Sequence, residues 1–379
     1  MPVPPNAESE TDDMIAHSIE ATVGSVLRPE VFALSAYHVQ DATGLIKLDA
    51  MENPYYWPDE MIDEWLEVLR DANINRYPDP TADRLREALR QANSVPGEAE
   101  LMLGNGSDEL IQIILMAVGG DDAVVLAPQP TFVMYRQIAV SLGLKFVGVA
   151  LNDEDFSLDM QAMRVAIDRH QPKVIFLAYP NNPTGNAFSS GEMLEIMRIA
   201  PGLVVVDEAY APFADDSFLA RLPEFPNLLV MRTLSKLGLA GLRLGYLAGH
   251  PAWIAQLDKL RLPYNINVLT QLTVEYALSM QSVLDAQVRL IRRDRERMAL
   301  RLAQLPVKVL PSQANFISFR LLESDAGDVF ERLKQSGVLI KNLSPAGGLL
   351  LNHLRVTIGT PDENQLFMNA LEGILNDRA

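Results

Sequence analysis

From about residue 100 onward, short unbroken apolar runs alternate with longer stretches in which apolar residues recur every three or four positions. The runs at 100–103, 123–127, 145–149, 174–179, 203–207 and 228–232 predict strands, and 244–248 adds a seventh candidate. Strands read as nearly continuous apolar segments when helices cover both faces of the sheet. The pattern therefore argues for an α/β fold with a three-layer large domain and a mostly parallel sheet. Upstream, 60–72 has helical spacing, a loop follows at 75–80, and another helix ends near Ala92. Residues 268–305 predict long helices. The last 75 or so residues predict strands at 308–310, 316–319 and 354–358 plus two helices, a smaller α+β domain. Residues 1–13 read as a frayed tail and 14–26 as a short helix. An irregular arm then runs from Arg28 through Tyr37 to Tyr55. The expected division is 1–27 tail and helix, 28–60 arm belonging to the small domain, 61–280 large domain, and 281–379 C-terminal small domain. Arg292 to Arg297 mixes bases with acids and predicts a solvated helix face.

Composition narrows the function classes. At 379 residues the chain exceeds one small core. A formal charge of −17 argues against nucleic-acid or acidic-membrane partners, and it means that any anionic ligand needs a local cluster of cations and amides. Absence of cysteine excludes disulfides, thiolate catalysis and cysteine-ligated zinc. The five histidines lack metal-ligand spacing, so no metal is expected. The polar, acidic N-terminus is unlike a signal peptide, and no apolar run is long enough to span a bilayer. A soluble cytoplasmic protein is the expectation.

Candidate chemistry sits where strands end. Gly104 to Glu109 is a glycine turn feeding a helix that Ser107 or Asp108 would cap. The amides and dipole at that helix start also suit a phosphate, and an ordinary cap fits the same residues. No G-x-G-x-x-G follows a strand there, so this is not the dinucleotide fingerprint. Phe132 is either a core residue or a ring that stacks on a flat cofactor. Asn182 lies in a Pro/Gly-rich turn at the carboxyl end of a strand, where ligands of open α/β sheets collect. It is either a turn residue or a donor to a phenolate oxygen, which Tyr210 would also reach. Asp207 closes a run of valines, a costly place for a carboxylate unless paired by a helix start or by a protonated pyridine nitrogen. Lys236 follows, flanked by Thr233, Ser235 and Arg243.

A strand ending in an acid, then a strand ending in hydroxyls, a lysine and an arginine, meets the demands of pyridoxal 5'-phosphate. The lysine amine would hold the cofactor covalently and act as general base, the hydroxyls and arginine would take the phosphate, and the acid would face the ring nitrogen. Arg355 lies between apolar neighbours in a strand-like run and wants an anion. A substrate carboxylate, a phosphate or an internal salt bridge would serve.

At these residues the chain resembles the fold-type I aminotransferases. Asn-Pro-Thr-Gly at 182–185, Asp-Glu-Ala-Tyr at 207–210 and Ser-Lys at 235–236 followed by Gly-Leu-Arg-Leu-Gly mark that class. Met51 to Tyr55, Arg76 to Asp79, Gly104 to Glu109 and Leu354 to Gly359 point to its histidinol-phosphate aminotransferase subgroup. Enzymes acting on aromatic amino acids or threonine phosphate share part of these motifs. The resemblance implies a pyridoxal-phosphate transaminase of histidine biosynthesis, acting on histidinol phosphate and 2-oxoglutarate. An aromatic aminotransferase or a threonine-phosphate decarboxylase-like enzyme is the alternative. It implies that Lys236 is the covalent lysine, Asp207 the ring-nitrogen partner, Asn182 and Tyr210 the ring-oxygen partners, and Phe132 the stacking ring. It also implies that the Ser107 and Asp108 amides, with Thr233, Ser235 and Arg243, hold the phosphate. Tyr77 would reach that phosphate from the neighbouring subunit of a homodimer. Arg355 would bind the α-carboxylate of glutamate or the substrate phosphate, and Asn53 and Tyr37 would contribute to the substrate site.

Overall fold

The computed structural model describes residues 19–32, 34–36, 40–120 and 122–376, so Tyr37, the frayed tail and the start of the predicted first helix lie outside the described residues. The strands in chain order are β1 (Ile46–Lys47), β2 (Glu100–Gly104), β3 (Val124–Gln129), β4 (Lys145–Ala150), β5 (Val174–Ala178), β6 (Leu203–Asp207), β7 (Leu228–Thr233), β8 (Gly245–Gly249), β9 (Val307–Val309), β10 (Phe316–Leu321), β11 (Val338–Leu339), β12 (Lys341–Asn342) and β13 (His353–Thr357). Each apolar run became a strand within a residue or two of its expected bounds.

The large sheet has the order β2-β8-β7-β6-β5-β3-β4. Neighbours from β7 through β4 run parallel, and β8 alone runs against both β7 and β2. Side chains alternate between the two faces, as the period-2 pleat requires. Ile175, Leu177, Val204, Val206 and Val230 enter one core, while Val174, Phe176, Leu203, Val205 and Leu229 enter the other. Helices Ser107–Ala117 and Val133–Ser141 seal the second face with Ile111, Ile114, Tyr135 and Ile138. Helices Asp83–Ala92, Met160–His170 and Ser190–Ile199 seal the first with Leu85, Met163 and Met193. This is the expected three-layer arrangement.

The C-terminal part builds an antiparallel sheet, β12-β13-β10-β9. The first core continues into it through Phe316, Phe319, Val356 and Leu371. β1 pairs in parallel with β11. The arm is thereby tied to the C-terminal part, and residues 49–53 are carried toward the end of the large sheet.

The helix Gln281–Leu302 corrects one expectation. Asp294 and Arg295 are buried. They follow Leu284, Gln287, Val288 and Ile291 on the inward stripe. Arg295 Nη1 donates to the carbonyls of Phe213 (3.3 Å) and Ala314 (3.0 Å), so the charge is spent on loop backbone. Counting charges along the segment missed this because two of its six residues fall on the helix's buried side.

Candidate active site

The site forms where β3, β5, β6 and β7 end. The connection from β7 to β8 makes two 3-10 turns, Ser235–Leu237 and Ala240–Leu242, separated by Gly238 at φ +106°. Lys236 projects from the first turn into the interior. Its Nζ donates to the Ala50 carbonyl at 3.3 Å and lies 5.9 Å from the centre of the Tyr210 ring. Burial, with the nearby Arg355 charge adding to it, lowers its pKa to about 8.

Asp207 ends β6 and, by the alternation of its strand, faces the same side as Val205. There its Oδ2 accepts from the Tyr135 hydroxyl at 2.6 Å and its Oδ1 from the Ala209 amide at 3.1 Å. The Tyr135 ring is stacked on Phe176 at 4.5 Å, which fixes the hydroxyl's direction. Burial pushes the carboxyl up to about 6, against the lowering effect of these two donors. The contact from Ala209 closes a turn within the loop and is not the helix cap weighed from sequence, since the following 3-10 helix starts after Tyr210 without a side-chain cap; Tyr135 is a partner that sequence reasoning missed.

Asn182 donates through Nδ2 to the Tyr210 hydroxyl at 3.1 Å and accepts at Oδ1 from Arg355 Nη1 at 2.6 Å. Arg355, in β13 opposite Ser318 of β10, also donates to the Asp49 carbonyl at 3.0 Å and lies over the Phe316 ring at 5.2 Å. Asn181 ties the loop after β3 to the loop after β5, taking the Thr131 hydroxyl at 2.9 Å and donating to the Pro130 carbonyl at 2.9 Å. That clasp positions Phe132 and Asn182 relative to each other. Met51 holds a left-handed φ of +55°, and the turn aims successive carbonyls of Asp49 and Ala50 at Arg355 and Lys236. The Met51 amide donates to the Thr357 hydroxyl at 2.9 Å, and its carbonyl accepts from Asn315 at 2.9 Å. Sequence gave no signal for this strap beyond its motif.

At the other end of the cavity, Gly106 is the N-cap of the helix Ser107–Ala117, with φ +88° and no side-chain cap. Neither Ser107 nor Asp108 caps it. Both already have places in the first turn, where their amides lack intrahelical partners. A Cβ on Gly106 would stand 2.5 Å from Arg243 Nη2, and one on Gly245 would stand 2.8 Å from the Ser107 amide nitrogen. The two glycines let the guanidinium and the helix start approach the same point. Thr233 Oγ1 donates to Ser235 Oγ at 2.9 Å, and Arg243 Nη1 reaches Ser235 Oγ at 3.4 Å. Asp108 Oδ2 is 3.9 Å from Arg243, and burial raises its carboxyl pKa.

These groups line one cavity of about 260 Å³. Ser107, Asp108, Phe132, Asn182, Asp207, Tyr210, Thr233, Ser235, Lys236 and Arg243 all border it, joined by Ala178, Ala209 and residues 50–52. Arg355 is not in this lining but contacts it through Asn182, and Asn53 and Tyr77 lie elsewhere. Asn53 spends its amide on Gln287 (2.9 Å), the Leu237 carbonyl (3.3 Å) and the Tyr55 amide (2.9 Å), bordering a neighbouring cleft. Tyr77 is 80% exposed and stacked on Tyr264 at 4.4 Å, apart from the cavity within one chain. Tyr37 lies outside the described residues.

Residues 43–371 match the family described as aminotransferase class I and II. The chain belongs to this family. The aminotransferase is 57% identical over 351 residues to a Nitrosococcus oceani protein named histidinol-phosphate aminotransferase 2, covering 92% of this chain and 97% of that one. It is 52% identical over 366 residues to histidinol-phosphate aminotransferase 1 of Ralstonia nicotianae, covering 95% and 97%. Among solved structures, the Sinorhizobium meliloti histidinol-phosphate aminotransferase in complex with pyridoxal-5'-phosphate superposes with a TM-score of 0.82 at 23% identity, covering 94% of this chain and 99% of that one. An aromatic aminotransferase from Pyrococcus horikoshii gives 0.78 at 22%, covering 92% and 98%. At such identities the likeness establishes the fold, which two different substrate classes share.

Proposed function

We propose that this aminotransferase binds pyridoxal 5'-phosphate in the 260 Å³ cavity and moves an amino group between histidinol phosphate and 2-oxoglutarate. The fit to the cofactor rests on what the cavity lacks and what it offers. Asp207 is a buried carboxylate whose raised pKa marks a charge that its two neutral donors do not balance, and a protonated ring nitrogen would balance it. Arg243, the Ser235 hydroxyl and the helix-start amides converge on a space that two glycines keep open, as a phosphate dianion requires. When bound, pyridoxal phosphate supplies an aldehyde for amine exchange and a cationic ring that draws electrons from the reacting carbon.

The side chains do the rest. Lys236 Nζ, with a pKa near 8, holds or releases a proton close to physiological pH, as a base working at the substrate α-carbon must. Asn182 Nδ2 and the Tyr210 hydroxyl, already in contact, orient the ring oxygen. Phe132 restrains the ring plane. Arg355 takes the substrate's anionic group and passes on its orientation through Asn182. Asn53 acts at one remove: by holding Leu237 it fixes the turn that carries Lys236. Tyr77, with Ile74, Leu262 and Leu269 also exposed nearby, suits contact with a second copy in a homodimer, from which it would reach the neighbour's phosphate. A cytoplasmic enzyme with domain boundaries near residues 60 and 280 completes the reading.

Convergence of Lys236, Asp207 and Arg243 on one cavity carries the cofactor assignment, and the 57% identical relative supports the substrate. Purified enzyme given histidinol phosphate and 2-oxoglutarate is expected to form glutamate faster than with phenylalanine as donor. Preference for phenylalanine, or carbon dioxide released from threonine phosphate, would overturn the substrate assignment.

A further inference from the structure

A second cavity of about 690 Å³ adjoins the first, with Phe132 as a shared wall. It opens at the carboxyl ends of β3 and β4, where Gln129 pairs with Ala150. Its lining combines apolar Val133, Phe146 and Leu349 with polar Gln129, Arg136 and Gln137, of which Gln129 and Arg136 are exposed. Gln129 folds into this space because Gly148 has no side chain, since a Cβ there would lie 2.1 Å from Gln129 Oε1. Arg136 is the one charged residue in the lining. It stands in the first turn of the nine-residue helix Val133–Ser141, which has no acid in that turn, and no ion pair engages Arg136 among the described residues. In a chain of net charge −17, an unengaged guanidinium beside two amides and a helix start is a local reversal of sign.

Substrate chemistry gives that charge a use. An acid with two carboxylates, held at Arg355 by one, carries the other away from the reacting carbon. An acidic protein must meet that second anion with its own cation. We propose that Gln129, Arg136 and Gln137 form a second anion subsite that binds the end of the substrate remote from the reacting carbon. The inference rests on the cofactor reading above. The anion has two sources: the second carboxylate of a dicarboxylic acid whose first carboxylate stays at Arg355, or the phosphate of a phosphorylated amino alcohol, which would then be held here in place of Arg355.

Holoenzyme half-reactions followed by cofactor absorbance test this, with glutamate, histidinol phosphate and alanine each varied alone. In Arg136→Gln the half-saturating concentration is expected to rise about tenfold or more for a donor whose anion uses the subsite, as loss of a charge-assisted hydrogen bond implies. Alanine, which has no remote anion, should be unaffected, and Arg136→Lys should recover part of the loss. A rise for glutamate identifies the carboxylate, and a rise for histidinol phosphate identifies the phosphate. Superimposed curves for all three donors, or an equal rise that includes alanine, would overturn the subsite alone. A wild-type enzyme whose absorbance responds to no amine would overturn the cofactor reading with it.

Discussion

Removing a single hydroxyl, in Tyr135→Phe, isolates what holds Asp207 ionised. The ring stays stacked on Phe176, so no cavity is opened and only the 2.6 Å contact to Oδ2 is lost. With Asp207 ionised, that contact is a charge-assisted bond whose loss costs about 2 kcal/mol; with Asp207 protonated, it is a neutral bond whose loss costs about 1 kcal/mol. The difference moves the carboxyl from about 6 in the native protein to roughly 7 in the variant, at 1.36 kcal/mol per tenfold in proton affinity. The sign follows from proton counting. The folded pKa lies above the unfolded value near 3.8, so between about 4 and 6 the folded state holds the extra proton and stability falls as pH rises, flattening above 6. In the variant the fall continues for about another pH unit. Urea denaturation of cofactor-free protein at pH 5 and pH 8.5 should therefore show a penalty about 1 kcal/mol larger at the higher pH. Equal penalties at both values, or a larger one in acid, would refute the assignment of Tyr135 as the donor that steadies a buried charge.

Three further outcomes follow from the same geometry. Gly106→Ala strains a φ of +88° and drives a methyl group into Arg243 Nη2, so it should lose about 1–3 kcal/mol of stability and bind pyridoxal phosphate more weakly while binding unphosphorylated pyridoxal unchanged, as read by equilibrium absorbance. Arg232→Met leaves Glu208 buried without the guanidinium that now sits 2.7 Å away, and should cost about 3–5 kcal/mol in urea denaturation at pH 7. Lys236→Ala should abolish both the single-turnover rate with histidinol phosphate and covalent labelling of residue 236 by borohydride.

The parts of the molecule that could be read from sequence are those whose neighbours are dictated by local pattern. Central strands such as Val174–Ala178 are buried on both faces, so every residue is apolar and the run announces itself. Groups at strand ends were legible for the same reason: Asp207 and Lys236 stand out against valines and leucines. The two-residue pairings of Ile46–Lys47 with Val338–Leu339 were not legible, because they exist only once distant segments meet. Tyr135 was hidden in an ordinary helical repeat, where one polar atom on an aromatic ring leaves no mark on the apolar pattern. A tyrosine where the repeat would accept phenylalanine was the only clue. The helix start at Ser107 was read one or two residues late, since hydroxyl and carboxylate residues serve first turns as well as caps.

The reversed direction of β8 bears on how much the lysine loop can vary. Arg243 sits just ahead of Gly245, which is in register with Thr233 at the end of β7. The arginine is therefore seated by strand pairing and not by the length of chain that leads to it. Residues inserted around Gly238 would bulge outward between two fixed posts, leaving the paired strand ends on either side where they are. Evolution, or a designer, can remodel that stretch to suit a new substrate without moving the anchor for the phosphate.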